Sequence, residues 1–269
     1  MTRVDCLATS SRRFATTSCA ASSRSLLFEA RAEGMERLPS RRSLMTERSR
    51  LQKLGGGAFI AAGILFAATA ALGLAAGPPP SNGTAILAWA ASERTLLAIA
   101  NELSFFAALS LVPAVPALYR RVVDTDEIKA MVGCGIIAAT IPILLVLCIV
   151  HGRLVYPVFG LRIGTAPIAE LVVTVLYGGA HAASILMGIA TFVLSLGLMR
   201  LPGGKPAAYL GVVAAVMDVI GAYPDTIGPR LAFACQALSS SWFLVVGATV
   251  RREPVRPGSP ARATSSDSA

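Results

Sequence analysis

Long apolar segments separated by short polar ones fill the chain after Lys53. Each segment is close to the ~20 residues that an α-helix needs to cross the hydrocarbon core of a bilayer. The pattern predicts an all-α fold, a polytopic membrane bundle of six transmembrane helices. The predicted spans are about 54–77, 95–118, 130–150, 178–199, 207–223 and 231–250.

The apolar run Ala166–Met199 is too long for one of these spans, and it contains Glu170. We interpret residues 166–177 as a separate interfacial or partly re-entrant helix. A seventh span is the alternative, but it leaves too few residues for two full crossings. The segment Ala85–Ala91, which contains Trp89, predicts a second short interfacial segment, because Trp favours that depth.

The composition agrees with a membrane protein and excludes two other classes. Apolar residues make up 54% of the chain, charged residues only 14%, and the mean hydropathy is +0.65. A soluble domain carries roughly 25% charged residues. The apolar content is also too high for a chain that is disordered throughout.

The net charge of +9 is concentrated in the two tails. Residues 54–250 contain 9 basic and 8 acidic side chains, so the predicted bundle is nearly neutral. A nucleic-acid-binding face needs basic residues on a folded surface. We therefore expect no nucleic acid as a partner, and tails that lie near the anionic headgroups of the lipid bilayer.

Three parts follow from this distribution. Residues 1–53 are predicted to be a disordered basic tail, with Met45 as an alternative start of the protein. Residues 54–250 form the six-helix domain. Residues 251–269 are predicted to be a disordered cytoplasmic tail.

The basic residues of the loops predict the orientation. With the N-terminus inside, the inner segments carry 20 Lys and Arg residues and the outer loops carry 4. The positive-inside rule then places both termini in the cytoplasm. Termini on the same side require an even number of spans, which six satisfies.

Five polar residues lie within the predicted spans, where each costs free energy unless it has a partner. Counted along the spans, all fall in the outer half of the bilayer and predict one intramembrane polar cluster: Asn101, Glu102, His181, Asp218 and Gln236. Two interpretations stay open. The cluster is a cavity that opens outward, with Glu102 and Asp218 as proton or cation sites, or it consists of hydrogen bonds that hold the helices together.

Small residues recur on one face of several spans and predict close helix packing. They also offer contacts for a homo-oligomer. The first span carries Gly56, Gly63, Ala70 and Gly77 at intervals of seven. The fourth carries His181, Ser184, Gly188, Thr191 and Ser195, and the fifth carries Gly211, Ala215, Asp218 and Ala222.

No motif for catalysis, for a cofactor or for a metal is present in the sequence. The five cysteines, Cys6, Cys19, Cys134, Cys148 and Cys235, have neither CxxC nor zinc spacing. We expect a protein that is not an enzyme, with no cofactor and no metal.

Three segments carry a family resemblance: LGGGAFIAAGILF from Leu54, LVPAVPALYRRV from Leu111, and LGLMRLPGGKPAAYLGVVAAV from Leu196. Over about 54–250 the chain resembles a bacterial family of six-helix integral membrane proteins known only as a domain of unknown function. The resemblance implies the six-helix fold and no site residues. The Ala-, Arg- and Gly-rich composition suggests a bacterial genome, and hence the plasma membrane.

Three functions remain open after these observations. The first is a non-enzymatic membrane subunit or scaffold, which the short loops favour. The second is a small-solute or proton-coupled carrier that uses Glu102 and Asp218. The third is an intramembrane enzyme acting on lipid or quinone, with His181 as the acid or base.

Overall fold

The computed structural model describes residues 41–252, with side chains from Ser49 onward. The chain divides into two units, Met1–Glu47 and Arg48–Ala269, and the packing below concerns the described part of the second unit. The helices are α1 Arg41–Ala76, α2 Gly83–Ser92, α3 Arg94–Val122, α4 Glu127–Val155, α5 Ala166–Leu198, α6 Lys205–Gly221, α7 Pro224–Ile227 and α8 Pro229–Arg251. Within the described residues the structure is all-helical apart from turns and one isolated bridge, Val158–Leu161.

Five helices are long and apolar enough to cross a membrane: Ser49–Ala76, Arg94–Val122, Glu127–Val155, Ala166–Leu198 and Pro229–Arg251. This confirms the predicted helical fold, and the five apolar helices agree with the prediction of a multi-pass membrane protein. The predicted span 207–223 corresponds to α6. This helix has 17 residues and is shorter than each of the five helices named above.

The predicted break between residues 177 and 178 is wrong. Residues 166–198 form one continuous helix, α5, rather than an interfacial or re-entrant segment followed by a span. Its Pro167 stands in the first turn, where proline costs no backbone hydrogen bond. Gly179 continues the helix because α4 packs closely there: a Cβ on Gly179 would lie 2.3 Å from Leu147 Cδ2.

The boundaries of the first span and of the tails also differ from the prediction. Helix α1 begins at Arg41, so residues 41–53 are helical rather than part of the predicted tail. The remaining tail predictions, for residues 1–40 and 253–269, lie outside the described residues. The short helix predicted around Trp89 is present as α2.

The helix ends meet in two groups, which we call the distal and the proximal end of the bundle. At the distal end, where α1 finishes, Trp89 Nε1 donates to the Ala76 carbonyl at 2.9 Å and Arg94 Nε donates to the Val155 carbonyl at 3.1 Å. At the proximal end, Arg200 bridges to Asp126 at 3.1 Å. The segments that join the helices therefore alternate between the two ends.

Small residues bring the backbones of neighbouring helices together. A Cβ on Gly56 would lie 2.7 Å from the Gly247 carbonyl oxygen, and one on Gly63 would lie 2.8 Å from the Ser240 carbonyl oxygen. The small-residue face of α1 is thus packed on α8 at these two positions. The faces predicted for α5 and α6 likewise meet each other, with Gly188 against Ala215.

The main core lies in the proximal and central bundle. Its largest side chains that are less than 2% exposed include Trp242, Phe59, Leu111, Leu118, Ile137 and Leu194. Phe59 stacks on Phe243 with ring centroids 5.9 Å apart. A smaller cluster around Ala90, Leu97 and Val155 holds α2 at the distal end.

Candidate functional site

A cavity of about 630 Å³ occupies the distal half of the bundle. Most of its lining residues belong to α1, α5 and α8, and α3, α4, α6 and α7 contribute one or two each. Phe66 and Phe243 mark the part of its wall nearest the bundle centre, and Pro79 and Pro229 mark its distal rim. Counted along α1 from Phe66 to Gly77, it extends for about 16 Å. Its volume falls in the range of small-molecule sites.

Small side chains on the facing helices leave this space open. Gly73 on α1 and Ala180 and Ser184 on α5 line the cavity, where larger residues would fill it. A Cβ on Gly73 would meet no atom within 4 Å. The cavity therefore owes its volume to the same kind of residue that brings the helices into contact nearer the proximal end.

The wall is mainly apolar and carries a limited set of polar side chains. These are Thr69, Ser104, Tyr177, Ser184, Asp218, Asp225, Gln236 and Ser239. Such a combination of apolar surface with a few polar groups is typical of sites for amphipathic molecules.

Asp218 is the polar residue that the structure places most clearly in this wall. It lies on α6, partly buried, and the Ser239 hydroxyl of α8 donates a hydrogen bond to its Oδ1. No hydrogen bond to its Oδ2 is formed within the described residues. One carboxylate oxygen is thus positioned by α8, and no donor in the described part of the chain engages the other.

Gln236 is exposed and lines the same cavity, one helical turn before Ser239. His181 lies close by but is not part of the wall. Its Nδ1 is 2.9 Å from the Ala222 carbonyl oxygen, and its ring meets Tyr223 edge-on at 4.8 Å. His181, midway along α5, therefore joins that helix to the distal end of α6, which is a packing role.

Asn101 and Glu102 lie elsewhere, so the structure does not bring the five predicted residues into one cluster. Ser104 faces the cavity, and residues two positions apart on a helix point about 200° apart. Glu102 is accordingly exposed on the outer surface of α3 rather than directed into the bundle. Asn101 is buried beside Gly152 of α4, with its Oδ1 unpartnered.

Glu102 has a neighbour directly after α4, Tyr156, that the sequence analysis did not identify. The Tyr156 hydroxyl donates to the Ala98 carbonyl at 3.2 Å and also lies within hydrogen-bonding reach of Glu102. Two causes raise the pKa of the Tyr156 phenol above its usual value: burial, which is the larger, and the nearby Glu102 carboxylate. Glu102 thus belongs to a surface contact between α3 and α4.

Sequence reasoning missed several cavity residues. Ser239 stands in a run of three serines on α8, and Thr69 interrupts an alanine-rich part of α1. Single hydroxyl residues are common in membrane helices, so neither signal was distinctive. Asp225 was missed because it follows the predicted span, on the short helix α7.

The site contains no arrangement suited to a protein-bound metal. Within the described residues, no group of three or more His, Cys, Asp or Glu side chains is close enough to hold a metal ion. The oxygen ligands that Mg²⁺ and Ca²⁺ require must surround one point, which a single positioned carboxylate cannot achieve.

Comparison of this chain with protein-family models, with curated proteins and with solved structures found no match. The resemblance to a six-helix bacterial family therefore stays a prediction. The functional argument rests on the cavity and on the residues that line it.

Proposed function

We propose that this chain is a six-span, non-enzymatic membrane protein that binds a small amphipathic molecule in a cavity open to the outer side of the membrane. The observation that carries the proposal is the cavity of about 630 Å³, with its apolar wall and its few polar groups. A bundle that served only as a scaffold would gain stability by filling this space.

Helix α6 supplies the sixth span in this proposal. Its 17 residues are at the lower limit of the roughly 17–25 that cross a bilayer. It packs between two longer helices: Gly188 of α5 lies against Ala215, and a Cβ on Gly211 would lie 2.4 Å from Trp242 Nε1 of α8. The helix is thus sheltered from lipid on two sides, and its short length needs only a modest adjustment of the bilayer.

The orientation and the location are also part of the proposal. The excess of Lys and Arg in the segments at the proximal end supports a cytoplasmic position for that end and for both termini. The distal end, onto which the cavity opens, then faces the outside of a bacterial plasma membrane. Lipid is the constant partner of the exposed apolar helix faces.

The position of His181 supports the non-enzymatic part of the proposal. Its ring is held by a carbonyl and by Tyr223 outside the cavity, so it is badly placed to act as an acid or base on a ligand there. A carrier function, if this protein has one, would use Asp218 without Glu102, which does not line the cavity.

The test is binding of an uncharged apolar fluorophore, N-phenyl-1-naphthylamine, to the purified full-length protein in lipid nanodiscs. We expect saturable fluorescence above that of empty nanodiscs. The variant Gly73→Phe places a ring in the cavity without a clash at Cβ, and we expect it to reduce binding at least tenfold.

Gly57→Phe is the matched control. Gly57 lies on the same helix, its Cβ would also meet no atom within 4 Å, and it does not line the cavity. Binding should be unchanged in this variant. Equal binding by both variants, or no saturable binding by the wild type, would overturn the proposal.

A further inference from the structure

The charges of the cavity wall are of one sign. Among the described residues that line it, Asp218 and Asp225 are the ionisable acids, and no Lys, Arg or His is present. Asp225 lies on α7 at the distal rim and is exposed. A cleft with low-dielectric walls and charges of one sign concentrates the opposite charge from solution.

Asp218 is placed to pair with a cation inside this cleft. Ser239 positions its Oδ1, and no donor within the described residues engages Oδ2. A carboxylate in such an apolar site gains more from a cationic partner than it would in water. His181 does not line the cavity, and its Nδ1 lies 2.9 Å from the Ala222 carbonyl oxygen, so it is not a cationic partner for Asp218.

Four aromatic side chains also line the wall. Phe66, Phe233, Phe243 and Tyr177 all line the cavity, and the rings of Phe66 and Phe243 are 5.9 Å apart. Aromatic faces attract organic cations as well as apolar groups. Bare metal cations instead need several oxygen ligands around one point, which the wall does not supply.

We propose that the ligand of this cavity is an organic cation, whose charged centre pairs with the Asp218 carboxylate and whose apolar groups lie against Phe66, Phe233 and Phe243. This inference rests on the proposed binding function and adds the chemical class of the ligand. Asp225 at the rim attracts the cation, and Asp218 holds it. An anion of the same shape would meet carboxylates and no positive side chain.

The experiment compares two probes of nearly equal shape and opposite charge, tetraphenylphosphonium and tetraphenylborate, by equilibrium dialysis against full-length protein in zwitterionic nanodiscs. Empty nanodiscs correct for partition into lipid. We expect saturable binding of the phosphonium alone. Asp218→Asn keeps an acceptor for Ser239, so the helix contact persists, and it should weaken phosphonium binding at least tenfold.

The uncharged naphthylamine probe separates this inference from the proposed function. Asp218→Asn should weaken phosphonium binding at least tenfold more than naphthylamine binding, and a thermal unfolding temperature close to that of the wild type would show that the variant is folded. If the naphthylamine binds but the two ions bind equally, or if Asp218→Asn does not weaken phosphonium binding, the inference fails and the proposed function stands. If no probe binds saturably, both fail.

Discussion

Gly56 of α1 and Gly247 of α8 lie backbone against backbone: a Cβ on Gly247 would be 2.6 Å from the Gly56 carbonyl oxygen. Two antiparallel helices can come this close only where neither has a side chain. In a bilayer, such contact gains dispersion energy that lipid tails cannot replace, since there is no hydrophobic drive between the helices. The contact closes the proximal end of the bundle, while the distal end stays open around the cavity.

We predict that Gly56→Ala destabilises the protein by about 1–3 kcal/mol, because the new methyl group forces two backbones apart. The measurement is thermal unfolding in detergent. Gly57→Ala is the control: its Cβ meets open space, and alanine favours the helix by up to about 1 kcal/mol. A loss of stability in the Gly57 variant equal to that in the Gly56 variant would contradict the packing described here.

A second prediction concerns Glu170, whose Oε1 accepts a hydrogen bond of 2.6 Å from the Gly83 backbone N–H. That N–H lies at the start of α2, where it has no partner within its own helix. We expect Glu170→Ala to increase hydrogen exchange across residues 83–92 by about tenfold, because a hydrogen bond to a charged group is lost. Glu93→Ala, which removes a side chain that makes no cap hydrogen bond, should leave the exchange unchanged.

A third prediction tests whether α6 crosses the membrane. Pro202 and Thr226 flank this helix and are exposed at its opposite ends. In intact cells, a membrane-impermeant thiol reagent should label Thr226→Cys and should label Pro202→Cys only after permeabilisation. The parent protein provides the background, since its described cysteines, Cys134, Cys148 and Cys235, are buried. Labelling of both variants from the same side would mean that α6 does not cross.

A fourth prediction concerns acid stability at the proximal end. Hydrogen bonds from Lys129, its charge, and the charge of Arg200 hold the pKa of Asp126 below its usual value of 3.8. A carboxyl group with a lowered pKa in the folded state stabilises fully above its usual pKa, and this contribution is lost as pH falls through the lowered value.

Asp126→Asn should therefore flatten the decrease in Tm between about pH 5 and pH 3. Asn remains a good N-cap, so the helix start of α4 is preserved and only the charge is lost. Glu127→Gln, at the adjacent exposed position, should keep the decrease seen in the wild type. An unchanged acid profile in the Asp126 variant would show that this ionic contact does not stabilise the fold.

The helices and their small-residue faces could be predicted because both depend on local periodicity. Apolar runs near 20 residues fix the spans, and glycines at intervals of seven share one face of a helix. Gly56 and Gly63 pack on α8 for that reason. The error at Tyr177–Gly178 had a different source. The length of an apolar run does not reveal that the helix continues through Gly178 and Gly179, where Leu147 of α4 packs on Gly179.

The polar cluster could be predicted only in part. Counting residues along each span predicts the depth of a side chain. It placed Asp218 and Gln236 at similar depths, and both line the cavity. It does not give the direction of a side chain around the helix axis. Glu102 and Ser104 differ by two residues in depth, yet one faces outward and the other faces the cavity.

The sequence by itself therefore determined the membrane class, the helical content and most helix bounds, because these follow from hydropathy and local periodicity along one chain. The tertiary structure decided which polar residues meet. The rotation of each helix about its axis is set by packing against its neighbours, and that packing separates Glu102 from Asp218 and gives Asp218 the partner Ser239.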